Sequence, residues 1–244
     1  MTTCALCLSG EDLQLSHVFP EFLYEHLYDD KHRYNVLSVA PDVQERIEQK
    51  GLRERLLCCS CESKLSKLER YASLVIKGGA PGVEGGRERS IVSVKGVDYA
   101  KFKLFLLSLI WRAGIAQSRY FERVQLGPHQ ERLRAMLASN DPGDFDVYPC
   151  ILFGLNWASN EIPGLMMQPS KSKIWGHTTY HVVLPGLKLV FFISNQRLGA
   201  PANKFVLQAD GSLQFQVRSP MELPDLHAFM QEFDQQGRKP RLEA

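Results

Sequence analysis

No stretch of this chain is long and apolar enough to read as a membrane span. The longest apolar run, LFLLSLIW at 104–111, falls well short of the ~20 residues a spanning helix needs, and it stops at Arg112. The first residues lack a basic segment leading into an apolar one, so no secretory leader is read there and the cytoplasm is the expected location. A P-loop, a GxSxG elbow and a GxGxxG turn are all missing. That removes sequence support for NTP hydrolysis, an α/β-hydrolase site and dinucleotide binding. No internal repeat is visible. Cysteine is sparse, six residues among 244, and net charge is close to balanced at +2.

The near-neutral total hides an uneven distribution. Residues 76–140 hold 11 Lys/Arg against 5 Asp/Glu, while residues 1–75 hold 9 against 12 and residues 141–244 hold 9 against 10. A basic middle block is the footprint of a polyanion-binding protein, and equally the ordinary solvated face of charged helices. With 44% hydrophobic and 23% charged residues, the composition is that of a globular chain with room for a real core.

The cysteines carry the sharpest signal. CALC supplies Cys4 and Cys7, and the stretch RLLCCSCESKLSKLER supplies Cys58 and Cys61. A CxxC in a tight turn aims both sulfurs at one cation, and two such turns complete a tetrahedron, so a structural zinc on Cys4, Cys7, Cys58 and Cys61 is expected. A redox dithiol, buried thiols and a disulfide are the competing readings, and neither pair sits in the βαβ setting of a redox motif. Such a site has no open position and would replace core that 76 residues cannot easily build. Cys59 and Cys150 read as inert core thiols.

The pattern predicts an α+β fold. Residues 1–76 form a metal-stapled module with candidate strands at 15–18 and 52–57. A short helix is expected at 21–28, and a longer one from Cys61 buries Cys61, Leu65, Leu68, Ala72 and Val75. Residues 77–90, including GGAPGVEGG, read as a Gly-rich linker. Residues 91–244 read as an α+β accessory domain. Within it, 98–140 is helical with Asp98 as a cap, 147–218 is β-rich, and 221–233 is a closing helix. The β-rich runs are VYPCILFGL, TTYHVVLP, LKLVFFIS, KFVLQ and SLQFQVRS, with ADGS as a hairpin turn.

Between the cysteine pairs lies LSHVFP. The order CxLC, LxxSHxxPEF and LLCxxCExxLSxxE resembles the zinc-stapled HNH endonucleases, whose core is a ββα-metal (treble-clef) fold. The resemblance covers about residues 4–75. With the following FKLFLLSLIWRA, a narrower similarity to a bacterial HNH-like group extends to about 140. It implies metal-dependent hydrolysis of nucleic-acid phosphodiesters, DNA first, in an anti-phage or mobile-element setting. His17 matches the general base, a role that an imidazole side chain commonly fills. Three positions depart from the pattern: Ser16 replaces the ligand before the base, Arg53 replaces the orienting Asn, and Glu62 replaces the ligand after the second CxxC.

Glu62 is therefore the expected holder of a catalytic Mg²⁺ or Mn²⁺. Glu69, two turns on, is expected in a surface or interdomain ion pair, and Asn35 is a spare candidate for orienting the base. His26 and His32 read as surface residues, and Trp111 as core. Lys64 and Lys67 on the 61–75 helix, with Arg112, Arg119 and Arg123, are the expected phosphate contacts. His177 and His181 share one strand face without a neighbouring acid and read as a surface or packed pair. The alternative function is a catalytically degenerate zinc module that binds nucleic acid or a partner protein. The β-rich half is also a candidate homodimer surface. No membrane partner is expected.

Overall fold

The computed structural model of the protein describes residues 3–36, 46–49, 51–156 and 166–235. The N-terminal part holds β1 (Leu13–His17), β2 (Arg33–Val36), β3 (Arg46–Gln49), β4 (Arg53–Cys58) and α1 (Cys59–Ile76). There follow β5 (Glu84–Glu88), β6 (Ile91–Lys95), α2 (Tyr99–Ile115) and α3 (His129–Ser139). Then come β7 (Cys150–Leu155), β8 (Met167–Ile174), β9 (His177–Leu184), β10 (Leu187–Phe192), β11 (Leu213–Arg218) and α4 (Pro224–Gln235). The class is α+β, as the pattern predicts.

Two small antiparallel pairs, β1 with β4 and β2 with β3, stand apart from a seven-stranded sheet of order β5-β6-β11-β7-β10-β9-β8. In β1–β4 the partners run from Leu13 opposite Cys58 to His17 opposite Arg53, with a bulge at Gln14/Leu15. β4 runs straight into α1, whose buried face is Cys61, Leu65 and Ala72, with Leu68 and Val75 half-buried beside it. That is the stripe a 3.6-residue period requires.

α2 begins where Asp98 accepts a hydrogen bond from the Lys101 N–H, and it is buried without a break from Phe102 to Ala113. A helix apolar all round belongs in the interior. One cluster of buried residues takes in Cys4, Leu57 and Leu65 from the N-terminal part and Leu107 and Trp111 from α2. It also takes in Val182, Leu189 and Phe191 from the large sheet. The period-two alternation of the strands sends Val183, Val190 and Phe192 to the opposite face, where smaller clusters form under α4 and the 198–206 segment.

Several expectations change. The 21–28 helix is two short 3₁₀ turns, Glu21–Leu23 and Glu25–Leu27. Part of the 77–90 linker is strand: Glu84–Glu88 pairs with β6 as the outer strand of the sheet, where ladder hydrogen bonds outweigh the poor strand preference of glycine. KFVLQ is not a strand: Lys204 and Phe205 belong to a 3₁₀ turn, Ala202–Phe205, and the rest is irregular, because a short apolar run fits buried irregular chain equally well. ADGS does turn, with the Gly211 N–H donating to the Gln208 carbonyl. A Cβ on Gly211, at φ 81°, would sit 2.3 Å from the Val97 carbonyl oxygen. β8 lies within the β-rich 147–218 region but is not among the runs named there; its lysines and Pro169 at a register shift are what an edge strand carries.

One buried cation joins the parts. Arg112 of α2 is 1% exposed; its guanidinium pairs with Glu69 of α1 at 2.7 Å and donates to the His17 carbonyl at the end of β1 at 2.8 Å. Removing one partner of a buried pair strands the other, at a cost of roughly 3–5 kcal/mol. Arg112→Met should therefore lower the urea midpoint by the equivalent of about that much, and Glu69→Gln by less, because the guanidinium keeps its carbonyl partners. An unchanged midpoint for Arg112→Met would show that the cation is not buried.

Candidate metal centre and its surroundings

The first cysteine pair sits on a tight turn. Cys4 N–H donates to the Ser9 carbonyl and Leu8 N–H to the Cys4 carbonyl, both at 2.9 Å, with Leu8 in the left-handed region at φ 63°. Ala5 N–H donates to the Leu56 carbonyl, laying the turn against β4. Cys58 ends β4 in extended conformation as the N-cap of α1, and Cys61 lies in the first helical turn. The Cys58 N–H points at the Cys4 sulfur, 3.3 Å away.

The four sulfurs lie within 4.8 Å of one another, and Cys7 and Cys58 are 3.7 Å apart. A disulfide would need ~2.05 Å, and all six cysteines are free thiols. A tetrahedron with ~2.3 Å zinc–sulfur bonds has edges of ~3.8 Å. The donor set thus fits a structural metal such as zinc. As thiols the four are dissimilar. Hydrogen bonds from the Ser9 hydroxyl and backbone lower the Cys7 thiol to about 6, whereas burial pushes Cys61 up. Cys150 is buried in β7 as expected; Cys59 is exposed, because the helix turns it away from its ligating neighbours.

Beside this cluster, Ser16 and Glu62 meet. Ser16 is fully buried on β1, and its hydroxyl donates to Glu62 Oε2 at 2.6 Å, bridging the strand to the first turn of α1. His17 is the next residue, so the pleat sends its ring to the other face. There it is half-buried, with its ring centroid 6.4 Å from that of Tyr24. Arg53 is directly opposite His17 in the ladder, and directly opposed residues share a face. The contact to Glu62 is thus made by the residue before the histidine. Asn35 lies on β2, but its side chain is outside the described residues. His26 and His32 are exposed.

The expected basic surface needs correction. Arg112 is spent inside the protein, and Lys103 is 2% exposed, with its ammonium on the Val147 carbonyl at 2.7 Å and burial lowering it to about 8. Lys64 reaches across to the Ala138 carbonyl at the end of α3, at 2.7 Å. Lys67, Arg119 and Arg123 are exposed. Glu69 makes the expected ion pair, but with a buried partner. Trp111 is core.

The histidines of β9 are packed, at 6% and 9% exposure for His177 and His181. Spacing along the strand could not reveal the acid beside them: Asp225 arrives from α4, 3.3 Å from His181. Among the described residues no helix is long and apolar enough to cross a membrane. Compared with family models, with curated proteins and with solved structures, the chain matches none.

The purified chain should carry one zinc, measured by elemental analysis. Cys59 should react quickly with a thiol reagent, and Cys4, Cys7, Cys58 and Cys61 only after chelation. Cys58→Ser should lose the metal and with it helix α1. Zinc content unchanged by that substitution would remove the cluster as the site.

Proposed function

We propose that the chain is a metal-dependent endonuclease of the HNH type, hydrolysing phosphodiester bonds in DNA. The observation that carries this reading is local: β1 pairs with β4 across an intervening segment that holds β2 and β3, β4 leads straight into α1, and the cysteine cluster gathers the N-terminal turn, the end of β4 and the start of α1. The histidine ends the first strand, and Glu62 opens the helix. Ser16 and Glu62 together offer hard oxygen donors, one of them anionic, which suits a Mg²⁺ or Mn²⁺ that keeps most of its water. When bound, that ion would neutralise the scissile phosphate and steady charge on the departing oxygen.

The chain's own residues do the rest. The His17 ring takes a proton from the attacking water, and its backbone is held by Arg112 through the carbonyl. Arg53, alongside His17, stands where an orienting amide is usual and contributes a fixed positive charge toward the phosphate. Lys67, Arg119 and Arg123 contact flanking phosphates without reading sequence. An anti-phage or mobile-element role follows by analogy with the bacterial HNH-like group.

Two observations favour a second reading: the His17 ring leaves β1 on the face opposite to Ser16 and Glu62, and Glu62 is already engaged. Ser16 already occupies an oxygen of Glu62, and a hydroxyl is a weak ligand beside a carboxylate, so a zinc module that binds nucleic acid or a partner protein without cleaving it is the alternative.

Plasmid incubated with Mg²⁺ or Mn²⁺ should be nicked or linearised by the wild type. His17→Ala should be slower by about 10²-fold or more, with zinc content unchanged. Equal rates would remove His17 as the base. Under the binding-only reading neither protein cleaves, yet both retain plasmid. In both readings affinity should fall steeply between 50 and 200 mM salt, by roughly tenfold for each one or two phosphates contacted, and a flat salt response would argue against a polyanion partner.

A further inference from the structure

A second array of reactive groups lies on the far face of the large sheet. Ser172 is exposed on β8, its hydroxyl oxygen 2.8 Å from His181 Nε2 on the neighbouring β9. On the other side of the ring, His181 Nδ1 lies 3.3 Å from Asp225 Oδ2 in the first turn of α4. Both carboxylate oxygens of Asp225 also accept from the Lys188 ammonium, at 2.6 Å for Oδ2. Burial alone would raise the Asp225 carboxyl, but the Lys188 ammonium bonded to it and the His181 ring beside it hold it far below its usual range, although His181 Nδ1 itself makes no hydrogen bond of good geometry.

The order nucleophile, base, orienting carboxylate defines a hydrolytic triad by geometry, whatever the fold or chain order. Ionised Asp225 favours the tautomer with the proton on Nδ1, leaving Nε2 to accept from Ser172. Thr179, fully buried, lies 2.8 Å from the Ser172 hydroxyl and 3.2 Å from Nε2. Either hydroxyl can donate in the Ser172–Thr179 contact; in the arrangement where Thr179 donates, the serine proton is left for the ring.

We propose that Ser172, His181 and Asp225 form an esterase-type acyl-transfer site, separate from the metal centre and acting on uncharged carboxylic esters. The Ser172 oxygen adds to the ester carbonyl carbon as His181 Nε2 takes its proton. Collapse expels the alkoxide, which receives that proton, and leaves an acyl-serine. Water, deprotonated by the same nitrogen, then releases the carboxylic acid and restores the hydroxyl, so that ester and water become acid and alcohol. Among the described residues β8 is, like β5 at the other end, an edge strand of the sheet, so alternate backbone N–H groups along it face outward and are open to a developing oxyanion. Val183, two residues beyond His181 on the same face, belongs to an apolar cluster with Met167, Phe153 and Met230, which suits an uncharged acyl chain.

The test is a fluorophosphonate probe on the full-length, zinc-loaded chain without added Mg²⁺ or Mn²⁺, with the modified peptide mapped by mass spectrometry. Covalent modification at Ser172 is expected, slowed about 10²-fold or more in His181→Gln, with a matching loss of 4-nitrophenyl acetate turnover. Asp225→Asn should slow both and move the pH profile of labelling, which a merely structural role would not do. Absence of label at Ser172 in the folded wild type would overturn the assignment. So would an unchanged labelling rate in a folded His181→Gln.

Discussion

Four sulfurs converging from positions 54 residues apart, Cys4 to Cys58, are the constraint on which the N-terminal part rests. Among the described residues the elements there are small: two two-stranded ribbons, a few 3₁₀ turns and one helix. A two-stranded ribbon is marginal in water by itself. A metal on the cluster would fasten the N-terminal turn, the end of β4 and the start of α1 at one point, so that its binding energy becomes folding energy. The close approach of Ser16 to Glu62 depends on that fastening, since it is the junction of β4 with α1 that brings the helix start beneath β1.

The cluster alone does not hold this part against the rest. α2 does, with Arg112 as its polar contact and Leu107, Ile110 and Trp111 among its apolar ones. An arginine so far from solvent is retained only with its donors satisfied, and here a carboxylate, two carbonyls and a hydroxyl satisfy them. Its bond to the His17 carbonyl links the candidate base to the central helix through backbone. α3 adds a clasp on the other side, where Arg134 donates to the Leu6 carbonyl and Lys64 to that of Ala138. The excess of cations in residues 76–140 is therefore partly structural glue.

The large sheet has two unlike faces. One packs into the main core through Val182, Leu189 and Phe191. The other carries His181, Lys188 and Thr179 among apolar neighbours, and α4 covers it with both a leucine, Leu226, and the acid that balances the lysine. Buried polar groups are stable only when paired, and here the Lys188 ammonium is paired with Asp225 and His181 Nε2 with Ser172 and Thr179. The resulting chain of serine, histidine and carboxylate gives the accessory part a chemical character that its sequence motifs do not announce.

What the residues decide unaided is what short range decides. CxxC spacing sets two sulfurs on one turn, the 3.6-residue period picks the buried stripe of α1, and Asp98 caps α2 because its carboxylate reaches an N–H three residues on. The His17–Arg53 relation was half legible, as a motif order without a register. The tertiary structure alone decided that β11 lies between β6 and β7, parallel to β7. It also decided that Arg112 and Lys103 point inward and that Asp225 meets His181. Each of these joins residues distant along the chain, and the energy that selects them is a sum over the packed core that no local pattern records.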